Sequence, residues 1–146
     1  MLIGWLNVQS LTNKTFIVND LITERSLDVL ALTETWHTDS NDVRLRLATP
    51  DGYAMVDAAR QDGRGGGGVA VIYRKHLRCS GVSLPPLTTF EAVCVRLTTS
   101  SGWSHCVTEC LSARFYTSVD IVLRRTGFCF GAAGRSLMPG DYRRRH

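Results

Sequence analysis

The stretch LDVLALTETW (Leu27–Trp36) sets an apolar run, Val29 to Leu32, directly before a lone acid, Glu34, which stands between two threonines and ahead of a tryptophan. Asp28 to Leu32 reads as a buried strand, because a short uninterrupted apolar run is what a strand covered on both faces requires. Upstream, Leu2 to Val8 is a second mostly apolar run of strand length. Between them, from Lys14 to Arg25, the apolar positions Phe16, Ile17, Leu21 and Ile22 approximate helical spacing, with Thr12 or Asn13 as the expected cap. Strand, amphipathic helix, strand at this separation is a βαβ-like unit. Its strands are expected to run parallel and end on one edge, which brings Asn7 and Glu34 to neighbouring carboxyl ends, where α/β sheets usually bind ligands.

Downstream, Asp39 to Leu47 reads as a short polar helix or loop, and Tyr53 to Asp57 as a strand. Gly65 to Gly68 leads into Val69 to Tyr73, another strand. From Phe90 to Leu97 the chain alternates, with Glu91, Val93 and Val95 on one face and Phe90, Ala92 and Cys94 on the other, and Pro85-Pro86 breaks the chain before it. There is no internal repeat. Past Gly102 the pattern degrades, so the expected division is an ordered domain over residues 1–102 and a divergent, poorly ordered tail over 103–146.

With 146 residues, 44% of them hydrophobic, the chain suits one domain if its whole length folds. The net charge of +4 would ordinarily point to an anionic partner. Its distribution says otherwise: residues 1–102 hold 10 Lys and Arg against 10 Asp and Glu, and residues 103–146 hold 7 against 3, so the excess lies in the tail. The five cysteines (Cys79, Cys94, Cys106, Cys110, Cys129) are odd in number and form no Cys-x-x-Cys pair, which reads as reduced thiols rather than a zinc site. No signal peptide and no apolar run of bilayer length is present. The expected setting is intracellular, nuclear or cytoplasmic, with no membrane partner and nothing pointing to an oligomer.

Two readings compete at Glu34: a solvated acid at a strand end, and a ligand for a hard cation such as Mg²⁺, which is typically held by one or two carboxylates with water and phosphate oxygens. Asn7 can satisfy local backbone groups, or donate its amide to a phosphate. The glycine run lacks the Lys-Ser/Thr of a P-loop and opens no helix; it reads as a hairpin connection, or at Gly67 and Gly68 as a place where a nucleic-acid backbone comes close. His37 and His76 are lone histidines of the surface or core, and Trp5 and Trp36 read as core anchors.

The blocks LNVQSL, LDVLALTETW, DGYAMV and GRGGGGVAVIYR, in this order and spacing, resemble the N-terminal part of the endonuclease/exonuclease/phosphatase superfamily, and within it the endonuclease domain of LINE-type (non-LTR) retrotransposons. The resemblance covers residues 1 to about 102. It implies a two-sheet α/β sandwich, here the N-terminal half only, that hydrolyses phosphodiesters with Mg²⁺ or Mn²⁺ and nicks DNA before reverse transcription. It implies an active-site part for Asn7 and a metal-ligand part for Glu34. Two positions after the asparagine the repair-enzyme branch has an Asp; here it is Gln9, so no metal role carries over. The family also uses a Tyr-Arg-Pro strand, a Gly-Asp-x-Asn block and a late Ser-Asp-His block, none of which occurs in residues 103–146. Catalysis by the chain as it stands is therefore expected to be slight or absent.

The genetic code offers a cause. Read one nucleotide later, Glu109 to Tyr116 can encode Ser-Val-Tyr-Arg-Pro-Gly-Ser, and Met138 to His146 can encode Cys-Pro-Val-Thr-Thr-Gly-Gly-Asp. Two family blocks at one offset and in the right order point to a frameshifted retrotransposon copy. The alternatives are a non-catalytic remnant that binds nucleic acid through Arg143 to Arg145, and a product with no function.

Overall fold

A computed structural model of the chain describes residues 1–61, 65–85, 91–102, 104–111 and 122–125. The apolar run before Glu34 is strand β2 (Val29–Thr33), and the run that opens the chain is β1 (Leu2–Asn7), joined to it by helix α1 (Thr15–Glu24). They pair in parallel, with Ile3 opposite Val29 and Asn7 opposite Thr33, as a right-length helical crossover dictates. Helix α2 (Val43–Ala48) follows, then the antiparallel hairpin of β3 (Tyr53–Ala58) and β4 (Val69–Arg74). β4 lies against β2, so the glycine run returns the chain to the strand that carries Glu34.

Beyond β4, strands β5 (Arg78–Gly81), β6 (Glu91–Thr98) and β7 (Ser104–Leu111) form an antiparallel three-stranded sheet in chain order. Strand β8 (Val122–Arg125) pairs antiparallel with β1, which gives, among the described residues, a five-stranded sheet of order β3-β4-β2-β1-β8. Strand pairing thus continues past Gly102, whose N–H closes a turn onto the Thr99 carbonyl at 3.0 Å. The remainder of 103–146, Arg143 to Arg145 included, lies outside the described residues, as does Phe90.

Two-residue periodicity sorts the buried side chains into two cores. From β2 and β4, Leu30, Leu32, Ala70 and Ile72 face the helices, where they meet Val18, Ile22, Leu45 and Ala48. The alternate residues Val29, Ala31, Val69 and Val71 face the second sheet, where they meet Val93, Val95 and Leu97. The result is a two-sheet α/β sandwich with helices on one outer face. Each fully buried Leu, Ile or Val stabilises it by about 1.5–3 kcal/mol. Asp28 ties down the far end of the strands, accepting from the Leu2 N–H at 2.7 Å and pairing with Arg74 Nε at 3.2 Å.

Helix α1 departs from its expected face. Thr15, Val18 and Ile22 are buried, whereas Phe16 and Ile17 are 69% and 65% exposed. The buried face is offset from that apolar pair, and Val18 and Ile22 carry it into the core with Leu30 and Leu32. Neither Thr12 nor Asn13 caps it: the cap position is Lys14, without a side-chain cap bond. Lys14 instead sends Nζ to the carbonyls of Val8 (2.7 Å) and Gln9 (3.1 Å). Among the described residues no helix is long and apolar enough to cross a membrane, and Cys79 and Cys94 form no disulfide with each other.

Candidate active site

Three loops meet where β1 and β2 end and β4 begins. After β1, the chain stays tied to the chain after β2: Val8 N–H donates to the Thr33 carbonyl (3.0 Å), Ser10 N–H to that of Glu34 (2.6 Å), and Leu11 N–H to that of Thr35 (3.1 Å). On the other flank Thr35 N–H donates to the Gly68 carbonyl (3.2 Å) and Trp36 N–H to that of Gly67 (2.9 Å). Residues 34–36 are therefore held from both sides. Gln9, Ser10, Glu34 and Trp36 all take positive φ, at 46°, 81°, 56° and 56°. Left-handed backbone at a residue other than glycine costs about 1 kcal/mol or more, and these four cluster at one rim.

Glu34 is half-buried there. Its Oε2 accepts from the Trp36 indole Nε1 at 2.7 Å and from the Gly67 N–H at 3.0 Å. Oε1 accepts no hydrogen bond from the described residues, so the carboxylate presents one committed and one open oxygen. Asn7, one register step back on the neighbouring strand, accepts the Gln9 N–H on Oδ1 at 3.2 Å, which leaves its amide N–H groups to donate outward.

The glycines enter the site as structural parts. Gly67 and Gly68 are buried, with φ of 77° and 80°. A Cβ on Gly67 would lie 2.6 Å from Arg60 Nε, and one on Gly68 2.6 Å from Thr35 Oγ1 and 2.9 Å from His37 Nδ1. Gly68 requires glycine for space and for backbone conformation together, whereas at Gly67 the end of the Arg60 side chain can give way and the backbone conformation is what calls for glycine. The Gly67 amide is spent on Glu34 and both carbonyls on the 35–36 backbone.

Trp36 is not the core anchor that its apolar character suggests; it is 46% exposed, with its ring at the rim and its N–H on Glu34. Trp5 is half-buried against the core between the sheets. His76 is exposed, and His37, unpaired in sequence, has partners on both ring nitrogens: Thr35 Oγ1 lies 2.6 Å from Nδ1, and Asp57 Oδ2 lies 3.0 Å from Nε2. A carboxylate only accepts, so Nε2 carries the proton toward Asp57 and in the neutral ring the Thr35 hydroxyl donates to Nδ1. Ser40 Oγ adds a second donor to Asp57 Oδ2 at 2.9 Å. Next along the chain, Asp42 caps α2 and accepts the Thr38 N–H. Arg44 beside it holds the Asp42 carboxyl down at about 2.

A family model described as the endonuclease/exonuclease/phosphatase family matches residues 4–135. The chain belongs to that family. No curated protein matches it in sequence. Among solved structures, the chain is similar to AP endonuclease LMAP from Leishmania major, at 21% identity and TM-score 0.54 over 73% of this chain and 39% of that one. It is also similar to the human Nocturnin catalytic domain (18%, TM-score 0.56, 78% and 50% covered). An endonuclease/exonuclease/phosphatase protein from Leptotrichia buccalis aligns likewise (20%, TM-score 0.53, 77% and 55%). At these identities the likeness concerns the fold. The chain spans between 39% and 55% of the length of these three.

Endonuclease/exonuclease/phosphatase enzymes typically depend on a divalent metal ion. Among the described residues no group of three or more His, Cys, Asp or Glu could hold one. The donors present, one carboxylate with an open oxygen and a carboxamide on the neighbouring strand end, fit a largely hydrated Mg²⁺ or Mn²⁺ that takes its other ligands from water and phosphate, and do not fit an all-protein cage.

Proposed function

We propose that this chain is the N-terminal part of a metal-dependent DNA endonuclease of LINE-type retrotransposon origin. Glu34 is its metal ligand and Asn7 its phosphate-positioning donor. The observation that carries this reading is the open Oε1 of Glu34, one residue past the register partner of Asn7 at the carboxyl ends of two parallel strands, in a chain of the endonuclease/exonuclease/phosphatase family. The retrotransposon origin is supported by the four ordered sequence blocks.

When bound, a divalent cation offsets charge on the scissile phosphate and lowers the pKa of attacking water. The chain's own part is to present Oε1 to it and to direct Asn7 Nδ2 at a non-bridging phosphate oxygen. Asn7 is pre-oriented by its bond from Gln9, so little side-chain freedom is lost on binding. Gly67 and Gly68 act in this reading by shaping the Glu34 loop, and any nucleic-acid contact in the run falls to the more exposed Gly65 and Gly66.

A single carboxylate and an amide supply no general base. We therefore expect little or no plasmid nicking in Mg²⁺ from this chain by itself. Mg²⁺-dependent nicking that disappears in Glu34→Ala would overturn the catalytic incompleteness and keep the ligand assignment. The origin is tested on the coding DNA: codons for Leu111 to Ala113 that cannot spell Tyr-Arg-Pro in the shifted frame sink the frameshift, and flanking DNA without reverse-transcriptase coding sequence sinks the retrotransposon origin.

A further inference from the structure

We propose that Trp36 and the Gly67 amide are the positioning groups of Glu34, immobilising Oε2 so that Oε1 alone is offered to a hard divalent cation. The inference rests on Glu34 as cation ligand and adds how the carboxylate is held.

The two N–H groups converge on one oxygen, at 2.7 Å from the indole and 3.0 Å from the Gly67 amide. The donors are also joined to each other, because the Trp36 backbone N–H donates to the Gly67 carbonyl at 2.9 Å. Glu34, Trp36 and Gly67 thus form a closed ring of hydrogen bonds in which no member turns alone. Packing does not explain the arrangement: the indole is half exposed, so its place is set by its N–H and by the left-handed backbone at residue 36. Gly66 lies against the ring, where a Cβ would make ordinary contact, 3.4 Å from Trp36 Nε1 and 3.6 Å from Glu34 Oε2, so glycine is called for there by its φ of 85° and not by space.

The chemistry makes such a clamp matter. A half-exposed glutamate at a strand end samples several rotamers, and a cation held by one protein carboxylate has no second protein ligand to restore the geometry. Outer groups that orient a ligating carboxylate typically change metal affinity by about 10- to 100-fold. The sequence hides this relation, because a tryptophan two residues after the acid reads as a core residue until the left-handed backbone at Glu34 and Trp36 is seen to bring its N–H to the carboxylate.

The test is an NMR titration of the ¹⁵N-labelled full chain with Mg²⁺. The Trp36 indole and Gly67 amide resonances are expected to shift together and saturate at one Mg²⁺ concentration, while the Trp5 indole stays still. Trp36→Phe, which keeps an aromatic body and removes the N–H, is expected to weaken Mg²⁺ binding, followed on the Gly67 amide, by about tenfold, with spectral dispersion retained. Unchanged affinity in Trp36→Phe, with binding lost in Glu34→Gln, overturns the clamp and leaves Glu34 a ligand. No Mg²⁺-dependent shift in the parent chain overturns both. Should Trp36→Phe fail to fold, the Trp36 indole shift in the parent chain decides: its presence supports the clamp and its absence sinks it.

Discussion

His37 and Asp57, twenty residues apart in the chain, meet at 3.0 Å beneath the Glu34 loop, with the imidazole N–H directed at the carboxylate. The ring is almost fully buried, and its other nitrogen is engaged by Thr35. Removing the acceptor strands a buried donor, which costs about 1–3 kcal/mol. Asp57→Ala should lower stability by that amount in urea denaturation, and the Thr35 and Trp36 amide resonances should shift with it.

Gly68 faces the same histidine from the other side. Gly68→Ala places a methyl against Thr35 Oγ1 and His37 Nδ1 on backbone that disfavours any L side chain. A loss of about 2 kcal/mol or more is expected. Gly65→Ala, in open space and without positive φ, should stay within about 1 kcal/mol of the parent. Equal midpoints for the two variants would remove the steric argument.

Asp42 gives a pH dependence whose sign follows from its shift. Its carboxyl falls from 3.8 to about 2, chiefly through the side-chain bonds from Arg44, with backbone bonds from Arg44 and Thr38 assisting against desolvation. A depressed folded-state value means stability that is full above about pH 4 and is lost as pH falls toward 2. The size is on the order of 2 kcal/mol for this buried carboxylate. In Asp42→Asn, urea midpoints measured between pH 5 and 2 should fall less steeply than in the parent chain. An identical slope in the two proteins would refute the assignment.

How far the sequence discloses the fold depends on the range of the interaction. The βαβ unit, the β3–β4 hairpin and the inward face of β6 are legible because period-two and apolar-run patterns are local to Val29–Leu32, Val69–Tyr73 and Val93–Leu97. The phase of α1 is not, since Phe16 and Ile17 advertise an apolar face that the helix leaves exposed, while Thr15 and Val18 turn inward with Ile22. Strand β5, four residues with mostly exposed side chains, carries no hydrophobic signature at all. The same holds at the site. Asn7 and Glu34 announce themselves at strand ends, whereas Asp57 on His37 and the Gly67 amide on Glu34 come from 20 and 33 positions away, with no local trace.

Arg60 joins the two sheets near this site, with Nε 2.7 Å from Glu91 Oε1 on β6 and its guanidinium over Gly67. Both side chains are largely shielded from water. A double-mutant cycle with Arg60→Met and Glu91→Gln should return a coupling of about 1 kcal/mol, above the usual exposed pair. A coupling near zero would mean that shielding adds nothing here.

The position of β2 has a consequence for motion. It is the central strand of the five, bonded along both edges by β1 and by β4, and its side chains from Val29 to Leu32 are closed to water. Amides in such a strand exchange with solvent only through the rarest openings of a fold. Glu34 is the residue immediately after it. Fraying of β3 or β5 can therefore come and go on fast timescales while the carboxylate keeps its place, and in a hydrogen-exchange series its neighbours Leu32 and Thr33 should be among the last amides to label.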